Sequence, residues 1–190
     1  SICRGYKFQH GNTVGGRVIG RGSVTMQNLT TLDRHTGHGR AGPYWTVGAQ
    51  AVEVQYDTTD HSYRLLRAAT VLDAGKIINP EAAHAVVRGG MAMGLSQAGR
   101  EGLEFDPSGR ILDSSLRSYK VMHFSQTPEY LTRFVETPNV EGPFGARGIG
   151  EHGAIGMPAA LANALSLAAR VSLDELPVTP EKIWLIRSEK

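Results

Sequence analysis

A glutamate surrounded by glycines is the feature of this sequence that most directly suggests chemistry. Glu151 lies in a segment that has glycine at positions 142, 145, 148, 150 and 153. Glycine leaves the backbone free to adopt unusual angles and to approach a ligand closely, so a carboxylate in such a loop can serve as a general base. The alternative is an ordinary solvated loop acid, since most acidic side chains are surface groups. The residues alone leave both interpretations open.

Other side chains with reactive potential give weaker signals. His35 and His38 lie in a glycine-rich loop without an obvious third ligand, which disfavours a structural metal site. Gly20-Arg21-Gly22 lacks the third glycine and the following helix of a dinucleotide-binding fingerprint. No serine has the context of a nucleophile elbow, and Lys120 is interpreted as a structural cation rather than a Schiff-base lysine.

Composition narrows the class of protein further. The formal net charge is only +2, without a basic block, so neither nucleic acid nor a membrane is expected as a partner. Cys3 is the single cysteine, which excludes an intrachain disulfide and a thiolate metal cluster within the chain and fits a reducing, cytoplasmic compartment. The uncharged run over 153–169 favours a buried helix over a membrane span. Because the sequence lacks an initiator Met and an apolar signal core, we expect processing or a longer gene.

Alternating and capped segments predict the elements that must position the glutamate. Apolar residues alternate with polar ones over 51–57, which predicts a strand, and a second strand is expected over 63–73 to complete a hairpin. Asn79-Pro80-Glu81 combines an N-cap residue, a proline and a first-turn acid, which predicts a helix from about residue 80 to 100. Its expected apolar side contains Ala83, Val86, Val87, Met91 and Leu95.

Three glycines interrupt this helix at positions 89, 90 and 94, which suggests that either another backbone, such as a strand, or a flat ligand comes close. A strand over 130–136, the glycine-rich loop over 142–150, a helix from about 158 to 170 and a short last element from 179 follow. Leu161, Leu165 and Ala168 are expected to share the buried face of the later helix. The mixed order predicts an α+β fold in a single domain over 1–190, whose residues 1–48 form a loop- and strand-rich N-terminal segment.

Six short motifs occur in an order that is informative as a set. They are Gly48-Ala-Gln-Ala-Val-Glu-Val54, Asp73-Ala-Gly-Lys-Ile-Ile-Asn-Pro80, Ser118-Tyr-Lys120, Glu136-Thr-Pro-Asn139, Gly148-Ile-Gly-Glu151 and Leu176-Pro-Val-Thr-Pro-Glu-Lys182. This succession resembles the C-terminal part of the molybdopterin-binding large subunit of the xanthine dehydrogenase and aldehyde oxidoreductase family, the molybdenum hydroxylases. The resemblance extends from about residue 14 to 186 and implies a mixed sheet packed with helices.

The resemblance also implies roles for residues of the glycine-rich loop. Glu151 matches the family's general base, which takes a proton from an oxygen ligand of molybdenum, and Arg147, Gly148, Ile149 and Gly150 match the segment that approaches the cofactor. For Arg147, the alternative is a salt bridge that fixes the loop. The implied cofactor is molybdenum-molybdopterin in its mononucleotide or dinucleotide form.

The implied partners and substrates lie outside the chain. The partners are the upstream part of the same subunit and domains or subunits that carry iron–sulfur clusters and FAD. The implied reaction hydroxylates an aldehyde or an N-heterocycle with oxygen from water, and we expect the isolated chain to be inactive.

Two positions depart from the family pattern. Val86 stands where relatives commonly have a pterin-contacting glutamine, and His152 stands where the residue after the glutamate is usually proline. Three hypotheses therefore remain: the C-terminal portion of a molybdenum hydroxylase, a non-catalytic accessory or assembly domain that keeps the fold, and a self-contained binding module for a small ligand with a pocket of its own.

Overall fold

The computed structural model describes residues 6–7, 9–10, 13–14, 20–23, 25–27 and 29–188. The chain forms two compact units, residues 1–43 and 44–190, and each is treated by itself. In the first unit, strands β1 (Tyr6–Lys7) and β2 (Thr13–Val14) pair antiparallel. The described residues before position 48 contain no helix, as their glycine content predicts. The single domain over 1–190 stays a prediction.

The second unit is built on a three-stranded mixed sheet. Its strands β3 (Gly48–Tyr56), β4 (Tyr63–Asp73) and β5 (Glu129–Val135) lie in that order. β3 and β4 pair antiparallel, which confirms the predicted hairpin, whereas β5 pairs parallel to β4. A parallel neighbour requires a crossover connection, and the chain between β4 and β5 supplies it with a helix.

Four helices complete this unit. They are α1 (Pro80–Gly99), α2 (His152–Ile155), α3 (Met157–Ala169) and α4 (Pro180–Ser188). The predicted cap of α1 is confirmed, since Asn79 Oδ1 accepts a hydrogen bond of 3.0 Å from the Ala82 N–H. The short α2 was not predicted. No helix among the described residues combines the length and the apolar character that crossing a membrane requires.

The core of the second unit lies between the sheet, α1 and α3. Most of the side chains expected to be buried are buried, among them Met91, Leu95, Leu161 and Leu165. Two expectations were wrong. Val86 is 45% exposed, because its helix neighbour Val87 takes the inward position, about 100° further round the helix. Ala168 is also exposed, and Ala169 continues the buried row that starts at Leu161 and Leu165 in steps of four.

The three glycines that interrupt α1 separate into two groups. A methyl group at Gly90 would lie 3.0 Å from the Ala154 nitrogen, and one at Gly94 would lie 2.6 Å from the Ala154 oxygen, so both positions admit the backbone of α2. Of the two alternatives for these glycines, the approach of another backbone is therefore confirmed at two positions, but it is made by a helix and not by a strand. Gly89 faces open space in the described part of the chain, because none of its atoms lies within 4 Å of the methyl group that alanine would add there.

Candidate functional site

The predicted site residues lie on one surface loop, residues 142–151, which we call the site loop. It is anchored at the C-terminal end of β4, where Gly75 and Ala146 form an antiparallel bridge. The Lys76 N–H donates to the Gly145 oxygen at 2.9 Å, and the Arg147 N–H donates to the Ala74 oxygen at 3.1 Å. These bonds fix the first half of the loop.

Phe144 and Gly145 form the tight part of this anchor. Phe144 has φ 55° and ψ 18°, a left-handed conformation that is uncommon for a bulky residue, and it is 87% exposed. Gly145, with φ 81°, has the freedom that such a turn requires. Its N–H donates to the Gly142 oxygen at 3.0 Å. The turn directs the following residues back across the end of β4.

Arg147 is a half-buried cation with an ion-pair partner. Its Nη1 lies 3.2 Å from Asp73 Oδ2, and the two side chains are 12% and 19% exposed. Nη1 also donates to the Trp45 oxygen at 3.3 Å, and the guanidinium carbon lies 5.8 Å from the centre of the Tyr44 ring. Burial raises the pKa of Asp73, but hydrogen bonds from Thr137 and Gly75 and the charge of Arg147 outweigh it, so that the pKa is lowered. The salt bridge expected as one interpretation of Arg147 is therefore present.

One donor of Arg147 remains without a partner. Its Nε is buried and makes no hydrogen bond to the described residues. A buried donor left unpaired costs about 1–3 kcal/mol, so an unpaired donor requires an explanation. An oxygen atom of a ligand bound at the loop would supply the missing acceptor.

The second half of the site loop alternates between inward and outward residues. Ile149 packs its side chain against the core, whereas Gly148, Gly150 and Glu151 are exposed. The Gly148 N–H donates to the Tyr44 hydroxyl at 2.7 Å, and the Gly150 N–H donates to His152 Nδ1 at 3.0 Å. The N–H of Ile149 has no acceptor among the described residues. Of the backbone donors expected to hold a cofactor, that of Ile149 is free.

The exposed glycines leave room for a ligand. Among the described residues, a methyl group at Gly150 would have no atom within 4 Å, and one at Gly148 would meet only the Tyr44 hydroxyl, at 3.3 Å. Neither glycine has a positive φ between +20° and +160°, so neither backbone conformation demands glycine. Packing among the described residues thus does not explain Gly150, and at Gly148 the Tyr44 hydroxyl is the one close neighbour among them. Together with Arg147 Nε and the Ile149 N–H, the two glycines fit a polar group with several oxygens that approaches the loop closely.

Glu151 is the exposed carboxylate at the end of the site loop. Its carbonyl oxygen accepts a hydrogen bond of 2.9 Å from the Ala154 N–H, which starts α2. Its side chain makes no hydrogen bond or ion pair within the part of the chain that the structure describes. The carboxylate therefore remains available to accept a proton from a ligand.

Gln50 is a supporting residue whose role the sequence did not suggest. Its Nε2 lies 2.9 Å from Thr70 Oγ1 and 2.7 Å from the Gly153 oxygen, and its Oε1 accepts a hydrogen bond from the Gly156 N–H. It thereby joins β3 to both ends of α2, directly after Glu151. An amide on the half-buried face that Val52 and Val54 share was the signal that could have found it.

The weaker candidates show no converging chemistry. Among the described residues, no three His, Cys, Asp or Glu side chains converge in a way that could hold a metal ion. His35 and His38 are exposed, Lys120 donates to the Arg117 oxygen at 2.7 Å, and Cys3 lies outside the described residues.

Two cavities of the second unit share no lining residue. One of about 520 Å³ is lined by Tyr63, Leu95, Lys120 and Met122, among others, and by no residue of the site loop. A smaller cleft of about 280 Å³ is lined by His152 together with Gln50 and Ile155. The lining of this smaller cleft therefore includes His152, the residue that directly follows the site loop.

Known proteins match both the sequence and the fold. A family model described as a molybdopterin cofactor-binding domain matches residues 8–128. The large subunit of nicotine 6-hydroxylase from Paenarthrobacter nicotinovorans is 33% identical over 144 residues, which are 74% of this chain and 18% of that protein. The molybdenum-binding subunit of aldehyde oxidoreductase from Escherichia coli is 29% identical over 176 residues, 92% of this chain and 23% of that protein. A match of that length includes the site loop.

A solved structure confirms the α+β architecture. The aldehyde oxidoreductase from Desulfovibrio gigas superposes with a TM-score of 0.77 at 27% identity, over 84% of this chain and 17% of its own. The chain spans less than a quarter of the length of these three relatives.

Proposed function

Since the chain belongs to the molybdopterin cofactor-binding domain family of xanthine dehydrogenase and aldehyde oxidoreductase molybdenum subunits, we propose that it supplies the general base and part of the cofactor pocket of a molybdenum hydroxylase. The observation that carries this proposal is the exposed carboxylate of Glu151, which has no partner among the described residues and follows Gly150, a glycine that packing among those residues does not explain. The whole enzyme includes the upstream part of the subunit, and its substrate is an aldehyde or an N-heterocycle.

The residues of the site loop have different roles in this proposal. The molybdenum-molybdopterin group, when bound, supplies two-electron redox chemistry and acidifies water-derived oxygen. The Glu151 carboxylate accepts the proton that this chemistry releases, and it does so without giving up an existing partner. Arg147 Nε and the Ile149 N–H donate hydrogen bonds to cofactor oxygens.

The glycines give the cofactor access to the site loop, and contacts with the core hold this loop in place. Gly148 and Gly150 allow the cofactor to approach the backbone, because glycine has no side chain that would keep it away. Ile149 and the Asp73–Arg147 ion pair keep the loop fixed on the core. Iron–sulfur clusters and FAD on partner domains or subunits would accept the electrons, and the cofactor would be the mononucleotide or the dinucleotide form.

The test replaces Glu151 in the enzyme assembled from this chain and the upstream part of its subunit. We expect Glu151→Gln to lower kcat by roughly 10²–10⁴-fold, because a general base contributes about that factor. The molybdenum content should stay unchanged, since the variant keeps the size and the backbone of the residue. Glu175→Gln is the matched control, because that carboxylate is 81% exposed and lies outside the site loop. The isolated chain should show no substrate-dependent dye reduction.

A second candidate is the accessory domain without chemistry. Val86 favours it, since an exposed valine stands where the resemblance places a pterin-contacting glutamine. Turnover by Glu151→Gln equal to that of the unmodified complex would establish the accessory role and reject the base.

A further inference from the structure

The backbone on either side of Glu151 is joined by a side chain. The Gly150 N–H donates to Nδ1 of His152 across a distance of 3.0 Å. This hydrogen bond closes a short ring of covalent bonds that includes the backbone of Glu151. The imidazole is half-buried, whereas Gly150 and Glu151 are exposed. Nδ1 accepts a hydrogen bond only when it carries no proton, so the bonded form is the neutral imidazole with its proton on Nε2.

His152 lies on the rigid side of this ring. It begins α2, and Gln50 fixes α2 through the Gly153 oxygen at 2.7 Å and the Gly156 N–H. A methyl group at Gly153 would collide with the Val87 oxygen, so α2 also lies tightly against α1. The bond to Gly150 therefore ties the exposed end of the site loop to an element that is held from two sides.

The surroundings of the imidazole contain few ionisable groups. The other residues of the cleft come from β3, β4, α2 and α3, and none of them ionises: Gly48, Gln50, Thr70, Leu72, Ile155, Gly156, Ala159, Ala160 and Asn163. α1 approaches α2 at Val87, Gly90, Met91 and Gly94, which do not ionise either. The charged group next to His152 is Glu151 itself.

We propose that His152 is a positioning residue, whose neutral imidazole holds the backbone that carries Glu151. This inference rests on the proposed function of Glu151 as the base. When the pH falls, protonation of Nδ1 removes the acceptor, releases the Gly150 N–H and places a positive charge beside the carboxylate. The arrangement is thus complete at high pH and is lost on the acidic side.

The experiment follows the Gly150 amide by NMR in the 15N-labelled chain between about pH 5 and 8, the range in which imidazoles change charge. In the unmodified chain, we expect the Gly150 amide shift to change over this range. His152→Asn places Oδ1 as far from the backbone as Nδ1, so it should keep the bond and make the shift independent of pH. His152→Leu offers no acceptor, and its Gly150 amide should exchange with water roughly two- to tenfold faster at high pH.

Activity gives a second readout in the assembled enzyme. We expect the acidic limb of kcat to move to lower pH in His152→Asn, and kcat of His152→Leu to fall with little change in KM. The amide spectrum away from residues 148–156 should match in all three proteins, which shows that they are folded.

Two results separate this inference from the proposed function. Equal Gly150 exchange in the unmodified chain and in His152→Leu would refute the positioning role, whatever Glu151 does. The other result is faster exchange of the Gly150 amide in His152→Leu together with full turnover by Glu151→Gln. It would keep the Gly150–His152 hydrogen bond but reject Glu151 as the base, so the bond would have no catalytic role.

Discussion

Asp73 and Arg147 form an ion pair, with Oδ2 and Nη1 3.2 Å apart, that joins the C-terminal end of β4 to the site loop. The other carboxylate oxygen, Oδ1, accepts hydrogen bonds from the Gly75 N–H at 3.3 Å and from the Thr137 N–H at 3.2 Å. One side chain therefore holds the segments that follow β4 and β5 and the loop that carries Glu151. The site is stabilised where the two parallel strands end.

The first prediction concerns acid sensitivity at Asp73. The pKa of Asp73 is lowered, because hydrogen bonds from Thr137 and Gly75 and the charge of Arg147 outweigh the opposing effect of burial. A carboxylate of this kind stabilises the fold above its unfolded pKa of about 4, and the contribution disappears as the pH falls through the folded pKa. Asp73→Asn should therefore lower the melting temperature by roughly 2–4 °C above pH 4. Calorimetry across pH 2–7 measures the difference.

Asp174→Asn is the matched control for this measurement, since Asp174 is an exposed aspartate remote in sequence from the site loop. The difference between Asp73→Asn and the unmodified chain should shrink towards pH 2, while the control stays flat. A difference that grows towards low pH contradicts the ion pair as the cause.

The second prediction concerns Gln50, the amide that joins β3 to α2. Gln50→Leu keeps the approximate size but leaves the Gly153 oxygen and the Gly156 N–H without their partner. Each buried group left unpaired costs about 1–3 kcal/mol, so the free energy of unfolding should fall by roughly 2–4 kcal/mol. Urea unfolding measures it. Gln55→Leu changes the same residue type on the exposed face of β3 and should shift stability by less than about 0.5 kcal/mol.

The sequence predicted the elements whose causes are local. Alternation over a few residues sets β3, and the Asn79 side chain caps α1 through the nearby Ala82 N–H, so both elements were found; the start of β3 was placed three residues too late. The parallel pairing of β4 with β5 was not predicted, because it joins strands separated by a helix and a long connection. The helix α2 was missed for the same reason: four residues carry no periodicity, and Gln50, about a hundred residues away, fixes them.

The candidate site was predicted in part. Glycine density and the resemblance selected Glu151 and residues 147–150, and these roles stay proposals. The sequence could not show that the N–H groups of Gly148 and Gly150 already have acceptors, because Tyr44 and His152 reach them through the fold. Nor could it separate glycines that admit a backbone, such as Gly90, from glycines that face open space, such as Gly89.

The third prediction uses this difference between glycines. Gly150→Ala should change the free energy of unfolding by less than about 0.5 kcal/mol, because the added methyl group meets no atom of the described residues. Gly153→Ala should cost about 1–3 kcal/mol, since its methyl group collides with the Val87 oxygen. Urea unfolding of both variants tests the pair. In the assembled enzyme, the molybdenum content of Gly150→Ala should fall although its fold is intact. Full cofactor loading would show that no ligand approaches Gly150.

The fourth prediction concerns Val86, which is 45% exposed on α1 and lies one turn before Gly89 and Gly90. Valine can neither donate nor accept a hydrogen bond, whereas glutamine does both. Val86→Gln should therefore slow the release of the cofactor from the assembled enzyme by roughly two- to tenfold, the effect of one hydrogen bond. The stability of the fold should not change, because the side chain points to solvent.

Val86→Leu is the control for this substitution, since it changes size at the same position without adding a polar group. Cofactor release is followed by the molybdenum that remains with the protein during dialysis. Equal release from the Gln and Leu variants would place Val86 away from the cofactor, and the departure at this position would then have no bearing on the site. Slower release from the Gln variant alone would show that the open face beside Gly89 belongs to the cofactor pocket, because an amide gains only where it meets a polar partner.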